Sequence, residues 1–190
     1  MIARRAAVLV SGSGRIALNL HDASCAGRMP AQITVVIAHR EDIPAVARCR
    51  DAGLRVEVIP GDPGHATSDA LDAALRHAGA ELVLLAGYLR MFRVGPWSDR
   101  TMNVHPALLP HFGGAGMHGR HVHEAVLASG ARESGCTVHL VDEQYDHGRI
   151  LVQRRCPVLP GDSAESLAAR VVEQESIAYP DAVALWSARC

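Results

Sequence analysis

The chain has 190 residues, with 19 basic and 20 acidic side chains that leave a formal net charge of −1 at pH 7. This near balance removes the electrostatic basis for binding nucleic acid or an acidic membrane, and no apolar run reaches the ~18 residues that span a bilayer. We therefore expect a single domain over residues 1–190 that acts on small molecules as a monomer or a homodimer.

The cysteines and the first residues predict a cytoplasmic location. Residues Met1–Arg5 are not followed by the apolar segment of a secretory signal. The five cysteines are an odd number, are widely spaced and form no C-x-x-C pair. This usage is typical of buried or incidental thiols in a reducing compartment.

Apolar runs alternate with helical patterns through the first half of the chain. Strands are predicted at residues 6–10, 33–38, 55–59 and 81–86, and helices at about 18–27, 44–52 and 69–78. A Pro- and Gly-rich loop covers Pro60–Gly64. This rhythm predicts a Rossmann-like α/β domain, with a mostly parallel twisted sheet and helices on both faces.

A glycine-rich turn, Ser11–Gly14, joins the first strand to the first helix. Such a turn aims free backbone N–H groups at an anion, and its glycines allow the backbone to approach a ligand closely. The stretch is neither G-x-G-x-x-G nor a Walker A loop. On this evidence alone, a tight turn without a ligand remains the alternative.

The stretch Asn103–Pro110 begins as a buried strand and ends at a proline. Because side chains alternate along a strand, Asn103 and His105 are predicted to project from the same face. An imidazole moves protons near neutral pH, and an amide N–H stabilises a developing oxyanion. The pair therefore suits attack on a carbonyl, although both side chains could instead satisfy local backbone groups.

Three histidines follow in a glycine-rich segment. A helix beginning near Met117 would place His118 and His121 on one face and His123 off it. No acidic residue completes a ligand set at the spacing of known zinc motifs, so we expect no metal.

The last third of the chain predicts two paired strands and a long helix. Residues 135–141 alternate as a strand, and a short acidic turn leads to a strand at 150–158 that is predicted to be antiparallel. A capping box at Asp162–Glu165 opens the final helix. In isolation, Asp146 could be a turn residue that caps backbone, His139 a structural histidine, and Glu175 part of a solvated helix face.

Asn103–Pro110 resembles the N-(I/L/V)-H-P-(S/A)-L-L-P signature of the folate-dependent formyltransferases. Other stretches resemble that family in the same order, so the likeness covers nearly the whole chain. They are Val10–Gly14, Leu85–Arg90, Gly135–His139 with Asp146, and Gln174–Glu175 with Tyr179–Pro180.

The resemblance implies that a formyl group passes from 10-formyltetrahydrofolate, as co-substrate, to the amine of 5-phosphoribosylglycinamide in purine synthesis. It implies catalytic roles for Asn103, His105 and Asp146. The residues implied to bind this substrate are Gly12, Ser13, Gly14, Arg15, His118 and Glu175. The residues implied to bind folate are Leu89, Arg90, Met91, Phe92 and Asn103.

Two residues depart from the family pattern. Arg15 and Ile16 stand where the family loop has Ser or Thr followed by Asn. Ile16 cannot donate the amide hydrogen bonds of that Asn, whereas Arg15 could contact a phosphate directly. Three alternatives therefore stay open: another folate-dependent formyl transfer, hydrolysis of the formyl donor, and a non-catalytic Rossmann-type nucleotide-binding module.

Overall fold

The computed structural model describes residues 3–60 and 69–189 and has an α/β architecture. The strands are β1 (Arg4–Val10), β2 (Ala31–Ala38), β3 (Val56–Val58), β4 (Leu82–Leu85), β5 (Thr101–His105), β6 (Glu133–Leu140) and β7 (Ile150–Pro157). The helices are α1 (Arg15–Cys25), α2 (Pro44–Asp51), α3 (Asp69–His77), α4 (Arg120–Ala128) and α5 (Ala164–Ser187), and Gly95–Trp97 forms a 3-10 turn.

The strands form a sheet in the order β3-β2-β1-β4-β5-β6-β7. The predicted α/β class, with a mostly parallel sheet and one antiparallel strand near the end, is therefore confirmed. Of the predicted loop Pro60–Gly64, residues 61–64 lie outside the described residues. Among the residues that are described, no helix is both long enough and apolar enough to cross a bilayer.

The chain divides into two compact units, with the boundary between Met102 and Asn103. In the first unit, β1 pairs in parallel with β2 and β4, and β2 pairs in parallel with β3. Residues 6–10 of β1 and all of β4 are buried. Continuous aliphatic runs of this kind are expected for parallel strands that are covered on both faces.

In the second unit, β6 and β7 pair antiparallel, from Glu133 opposite Pro157 to His139 opposite Ile150. Helix α5 packs against both strands. Ser163 caps this helix by accepting a hydrogen bond from the Ser166 backbone N–H, while the Ser166 hydroxyl accepts one from the Ser163 N–H. The predicted capping box thus lies one residue further along, because the Asp162 carboxylate is bound by Arg170 instead.

The predicted helix start near Met117 is wrong. Helix α4 begins only at Arg120, so His118 precedes the helix and shares no helical face with His121. The reason is the backbone of Gly116 and Gly119, whose φ angles of 84° and 57° lie outside the helical region.

Candidate active site

Strand β5 delivers two polar side chains to one place in the second unit. The His105 side chain is buried and Asn103 is half-buried, and the two residues are separated by a single position of the strand. Both side chains reach the carboxylate of Asp146, which follows β6 in a turn. Asn103 and His105 project from the same face of β5, as the sequence predicts, and for this reason both can contact Asp146.

The three predicted catalytic side chains form one cluster. His105 Nδ1 lies 3.4 Å from Asp146 Oδ2, and Asn103 Nδ2 lies 3.5 Å from Asp146 Oδ1. The Asp146 side chain is only 10% exposed, which strengthens its interactions by excluding water. Asp146 itself has a φ of 54°, a conformation that Asp tolerates better than most residues.

A second histidine, His139 on β6, joins the cluster. Its Nε2 lies 3.2 Å from Asn103 Nδ2 and 3.5 Å from Asp146 Oδ1, and its Nδ1 lies 2.8 Å from the Leu140 carbonyl oxygen. Because a carbonyl only accepts, Nδ1 carries a proton, and Nε2 faces both the amide nitrogen of Asn103 and the carboxylate of Asp146. This contact orients the NH₂ end of the Asn103 amide, whose other N–H donates a long hydrogen bond to Asp146 Oδ1.

The opposite nitrogen of His105 is held by the backbone. His105 Nε2 donates to the Phe112 carbonyl oxygen at 2.7 Å, so in the neutral ring Nδ1 is the unprotonated nitrogen. Burial lowers the pKa of His105, and the Asp146 carboxylate and the Phe112 carbonyl oppose this shift only in part. His105 is thus poised as a base whose Nδ1 faces a carboxylate able to stabilise the cation.

The glycine segment after Pro110 fixes Asp146. The Gly114 backbone N–H donates to Asp146 Oδ2 at 3.0 Å, and a Cβ on Gly113 would lie 3.1 Å from Asp146 Cβ. Burial acts to raise the pKa of Asp146, but the contacts with His139, His105 and the Gly114 N–H together lower it. The carboxylate therefore stays ionised at neutral pH.

Sequence reasoning missed the backbone half of this cluster. The Phe112 carbonyl and the Gly114 N–H carry no residue-type signature, and only the run of glycines after Pro110 indicated that the backbone approaches something closely. His139 contacts both Asn103 and Asp146, so it helps to hold the segment that bears the Asp.

The glycine loop Ser11–Gly14 lies in the first unit and is braced by α2. The Ala45 N–H donates to the Gly12 carbonyl at 3.1 Å, and Arg48 Nη1 donates to the Ser13 carbonyl at 3.1 Å. Gly14 has a φ of 77°, and a Cβ there would lie 2.9 Å from Ala45 Cα. Only glycine fits this position, which immediately precedes α1.

Arg15 is the first residue of α1 and is exposed. A helix N-terminus presents unpaired backbone N–H groups and the positive end of the helix dipole. The guanidinium of Arg15 adds a formal charge beside that terminus. The loop therefore has the backbone and charge that a phosphate requires.

The predicted folate-binding segment also lies in the first unit. The Leu89 N–H donates to the Ser11 hydroxyl at 3.1 Å, which joins this segment to the glycine loop. Leu89 is 56% exposed and Phe92 is 2% exposed. This stretch is not helical, since regular structure resumes only at the 3-10 turn Gly95–Trp97.

The two remaining predicted substrate-binding residues differ in environment. His118 is exposed, and its ring lies 6.1 Å from the ring of His121. Glu175 on α5 is only 5% exposed, so its alternative reading as part of a solvated helix face is wrong. Within the described ranges, no group of three or more His, Cys, Asp or Glu side chains is arranged to hold a metal ion.

The fold and the polar cluster define an α/β protein equipped for carbonyl chemistry. A sequence model of the formyl transferase family matches residues 4–183. The chain belongs to the formyl transferase family.

Several proteins that are similar to the chain have named activities. It is 42% identical over 187 residues to the chloroplastic phosphoribosylglycinamide formyltransferase of Vigna unguiculata, covering 95% of this chain and 60% of that protein. It is 39% identical to the trifunctional purine biosynthetic protein adenosine-3 of Drosophila pseudoobscura pseudoobscura, covering 96% of this chain and 14% of that protein. The chain thus spans less than two thirds of the length of these curated relatives.

A solved structure agrees with the sequence relatives. The crystal structure of phosphoribosylglycinamide formyltransferase from Brucella melitensis superposes with a TM-score of 0.85 at 37% identity, covering 95% of this chain and 94% of that one. The fold and the relatives therefore lead to the same branch of the family.

Proposed function

We propose that the chain transfers the formyl group of 10-formyltetrahydrofolate to the amine of 5-phosphoribosylglycinamide, a step of purine biosynthesis. The observation that carries this proposal is the convergence of Asn103, His105 and Asp146 within 3.5 Å contacts. The names of the relatives from Vigna and Drosophila support the acceptor and the pathway.

The reaction makes one carbon–nitrogen bond and breaks another. The acceptor amine attacks the formyl carbon, and the carbonyl oxygen takes the negative charge of a tetrahedral intermediate. The bond to N10 of the folate then breaks as the carbonyl re-forms. The amine loses one proton and N10 gains one, so the enzyme needs an oxyanion donor and a proton carrier but no covalent intermediate.

Asn103 is the proposed oxyanion donor. One N–H of its amide is directed toward His139 Nε2, and the second, which lies in a long 3.5 Å contact with Asp146 Oδ1, would donate to the developing oxyanion in its place. Because the amide is held before the substrate arrives, little reorganisation is needed during the reaction. One such donor contributes about 100- to 1,000-fold to the rate.

His105 and Asp146 are the proposed proton-carrying pair. With Nε2 bound to the Phe112 carbonyl, Nδ1 is the atom that accepts the proton of the attacking amine, directly or through water. The carboxylate of Asp146 stabilises the resulting imidazolium across 3.4 Å. The same proton is then available for N10 of the leaving folate.

The remaining predicted residues would bind the substrates. Gly12, Ser13 and Gly14 would present backbone N–H groups to the substrate phosphate, with Arg15 supplying charge. Residues 89–92 would line the folate pocket with backbone groups and apolar side chains. His118 and Glu175 would contact the acceptor.

The transfer is distinguished from its alternatives by one assay. The purified chain is mixed with 10-formyltetrahydrofolate, with and without 5-phosphoribosylglycinamide, and loss of the formyl group is followed. Formyl transfer requires loss that depends on the amine. Loss without the amine indicates hydrolysis of the donor, and no loss under either condition indicates a non-catalytic binding module.

The reaction needs no metal in this scheme, and no step is assigned to one. We propose a single formyltransferase domain over residues 1–190, acting as a monomer or a homodimer. A cytoplasmic location remains a proposal based on the cysteine usage, because the relative from Vigna is a chloroplastic form.

A further inference from the structure

A second group of polar contacts lies on the same face of β6 as the cluster residue His139. Thr137, two positions before that histidine on the strand, is completely buried. Its hydroxyl donates to the Ala107 carbonyl oxygen at 2.7 Å and accepts from the Leu109 N–H at 3.0 Å. This one hydroxyl therefore holds the backbone of two residues in the segment that follows β5.

Gln153 on β7 completes the group. The register of the two strands places Gln153 directly opposite Thr137, so both side chains project from the same face. Gln153 Nε2 donates to the Leu109 carbonyl oxygen at 2.8 Å and to the Thr137 hydroxyl at 3.0 Å. The hydroxyl thus uses its proton and both acceptor positions. Leu109 is held at its N–H and at its carbonyl by side chains from two different strands.

Leu109 in turn supports the backbone that contacts the catalytic side chains. A Cβ on Gly113 would lie only 2.6 Å from Leu109 Cδ2, so the leucine side chain packs directly against the backbone of that glycine. Within residues 112–114, the first carbonyl accepts from His105 Nε2 and the last N–H donates to Asp146 Oδ2. A displacement of Leu109 would therefore move both of these backbone groups.

We propose that Thr137 and Gln153 are positioning residues for the formyl transfer. By anchoring Leu109 they fix residues 112–114, which set the tautomer of His105 and orient the carboxylate beside it. Both side chains act through the backbone, so neither is assigned a catalytic role. The inference deepens the proposed function, on which its kinetic test rests, whereas its spectroscopic test requires no activity.

The kinetic test replaces the Thr137 hydroxyl by a methyl group of similar size. In Thr137→Val the Leu109 N–H and the Ala107 carbonyl lose their partner, so the segment should leave its parent position. Because small displacements of catalytic groups slow reactions strongly, kcat should fall about 10- to 100-fold, while KM for either substrate changes less than about 3-fold. Thr137→Ser restores the hydroxyl and should bring kcat back to within about 3-fold of the parent value.

Gln153→Ala removes the second anchor and should have a smaller effect. The Thr137 hydroxyl keeps its two backbone contacts in this variant, so kcat should fall only about 3- to 10-fold with KM unchanged. The proposal is overturned if Thr137→Val and Gln153→Ala both retain parent kcat, or if Thr137→Ser is as slow as Thr137→Val.

Thr101→Val is the matched control for lost stability. Thr101 is equally buried, at the opposite end of β5 from His105, and its hydroxyl donates to the Trp97 carbonyl oxygen at 3.0 Å. Both threonine-to-valine variants should lower the melting temperature by about 2–10 °C, but Thr101→Val should keep kcat within about 2-fold of the parent. Equal losses of kcat in the two variants would show that Thr137 contributes only stability, contrary to the proposal.

The spectroscopic test follows the His105 ring by NMR in the full chain labelled with ¹⁵N, at about pH 8, where the ring is neutral. In the parent, Nε2 should carry a slowly exchanging proton and Nδ1 should resonate as an unprotonated nitrogen. In Thr137→Val that proton should exchange with water at least about 10-fold faster, because the Phe112 carbonyl no longer holds it in place. Thr137→Ser and Thr101→Val should keep the parent signals.

The two tests separate failure of this inference from failure of the proposed function. Parent-like His105 signals in Thr137→Val would overturn the positioning role, whatever happens to kcat. A parent protein that transfers no formyl group, but whose His105 ring responds to Thr137→Val as expected, would overturn the proposed function and leave the positioning of His105 supported.

Discussion

The polar cluster of the second unit and the glycine loop of the first unit achieve recognition by opposite means. In the cluster, four side chains (Asn103, His105, His139 and Asp146) are buried or half-buried and hold one another through contacts of 3.2–3.5 Å. In the loop, Gly12, Ser13 and Gly14 offer backbone groups, and the formal charges beside them are those of exposed Arg15 and of Arg48, which donates to the Ser13 carbonyl. The cluster is thus organised before the substrate arrives, whereas the loop completes its contacts only with a ligand.

This difference predicts different kinetic signatures. A preorganised group that interacts most strongly with the transition state contributes to kcat. A loop that grips a non-reacting phosphate contributes about equally to the ground and transition states, so its loss raises KM. Substitutions in the two regions should therefore separate kcat effects from KM effects.

The largest expected effect is that of Asp146→Asn. Loss of the carboxylate removes stabilisation of the His105 imidazolium and should lower kcat about 100- to 10,000-fold, with KM changed less than about 3-fold. Steady-state kinetics of formyl transfer measure both constants. Asp142→Asn is the control, because Asp142 pairs with exposed His147 outside the cluster and should keep near-parent kcat. Equal losses in kcat and in substrate binding would argue against the role of Asp146.

The second-largest effect is expected for Asn103→Ala, in which loss of one oxyanion donor should reduce kcat about 100- to 1,000-fold. Removal of the exposed amide in Gln144→Ala provides the comparison and should leave kcat unchanged. Asn103 also bonds His139, so the melting temperature of each variant is recorded. A folded Asn103→Ala protein with parent-like kcat would exclude the oxyanion role.

Arg15→Ala tests the loop rather than the cluster. Loss of a charge-assisted contact at an exposed site should raise KM for 5-phosphoribosylglycinamide about 3- to 30-fold while kcat stays within about 2-fold. Arg28→Ala, which removes a charge elsewhere in the same unit, should change neither constant. An unchanged KM in Arg15→Ala would show that the loop binds without this guanidinium.

The sequence predicted the side-chain half of the cluster better than the backbone half. Strand alternation was enough to place Asn103 and His105 on one face, but Asp146 lies 43 residues beyond Asn103 and was assigned only through the family resemblance. The contacts of Phe112 and Gly114 depend on backbone direction in a loop, which residue types do not encode.

Helix boundaries illustrate a second limit. The start of α4 was predicted at Met117 from its histidine spacing, whereas the φ angles of Gly116 and Gly119 delay it to Arg120. The start of α5 shifted by one residue because Asp162 binds Arg170 and the Leu159 N–H rather than capping the helix. In both places, long-range or backbone demands outweighed a local pattern.

The smallest expected effect concerns the pKa of His105. Burial lowers it, so the ring should titrate below pH 6.5 when its NMR signals are followed with pH. Since the unfolded histidine binds its proton at higher pH, this contribution to stability is complete above pH 6.5 and is lost as the pH falls through the folded pKa. In Asp146→Asn the pKa should fall further, because the carboxylate raises it. A midpoint above 6.5 in the parent, or a higher midpoint in the variant, would contradict this electrostatic description.

The most direct measurement follows a ¹³C-labelled formyl carbon from 10-formyltetrahydrofolate by NMR, in the presence of 5-phosphoribosylglycinamide. With the parent protein the label should appear in the amide of the formylated glycinamide product, and with Asp146→Asn this transfer should be slowed at least about 100-fold. Appearance of the label as free formate, or transfer at the same rate by both proteins, would contradict the proposal that this cluster passes a formyl group to an amine.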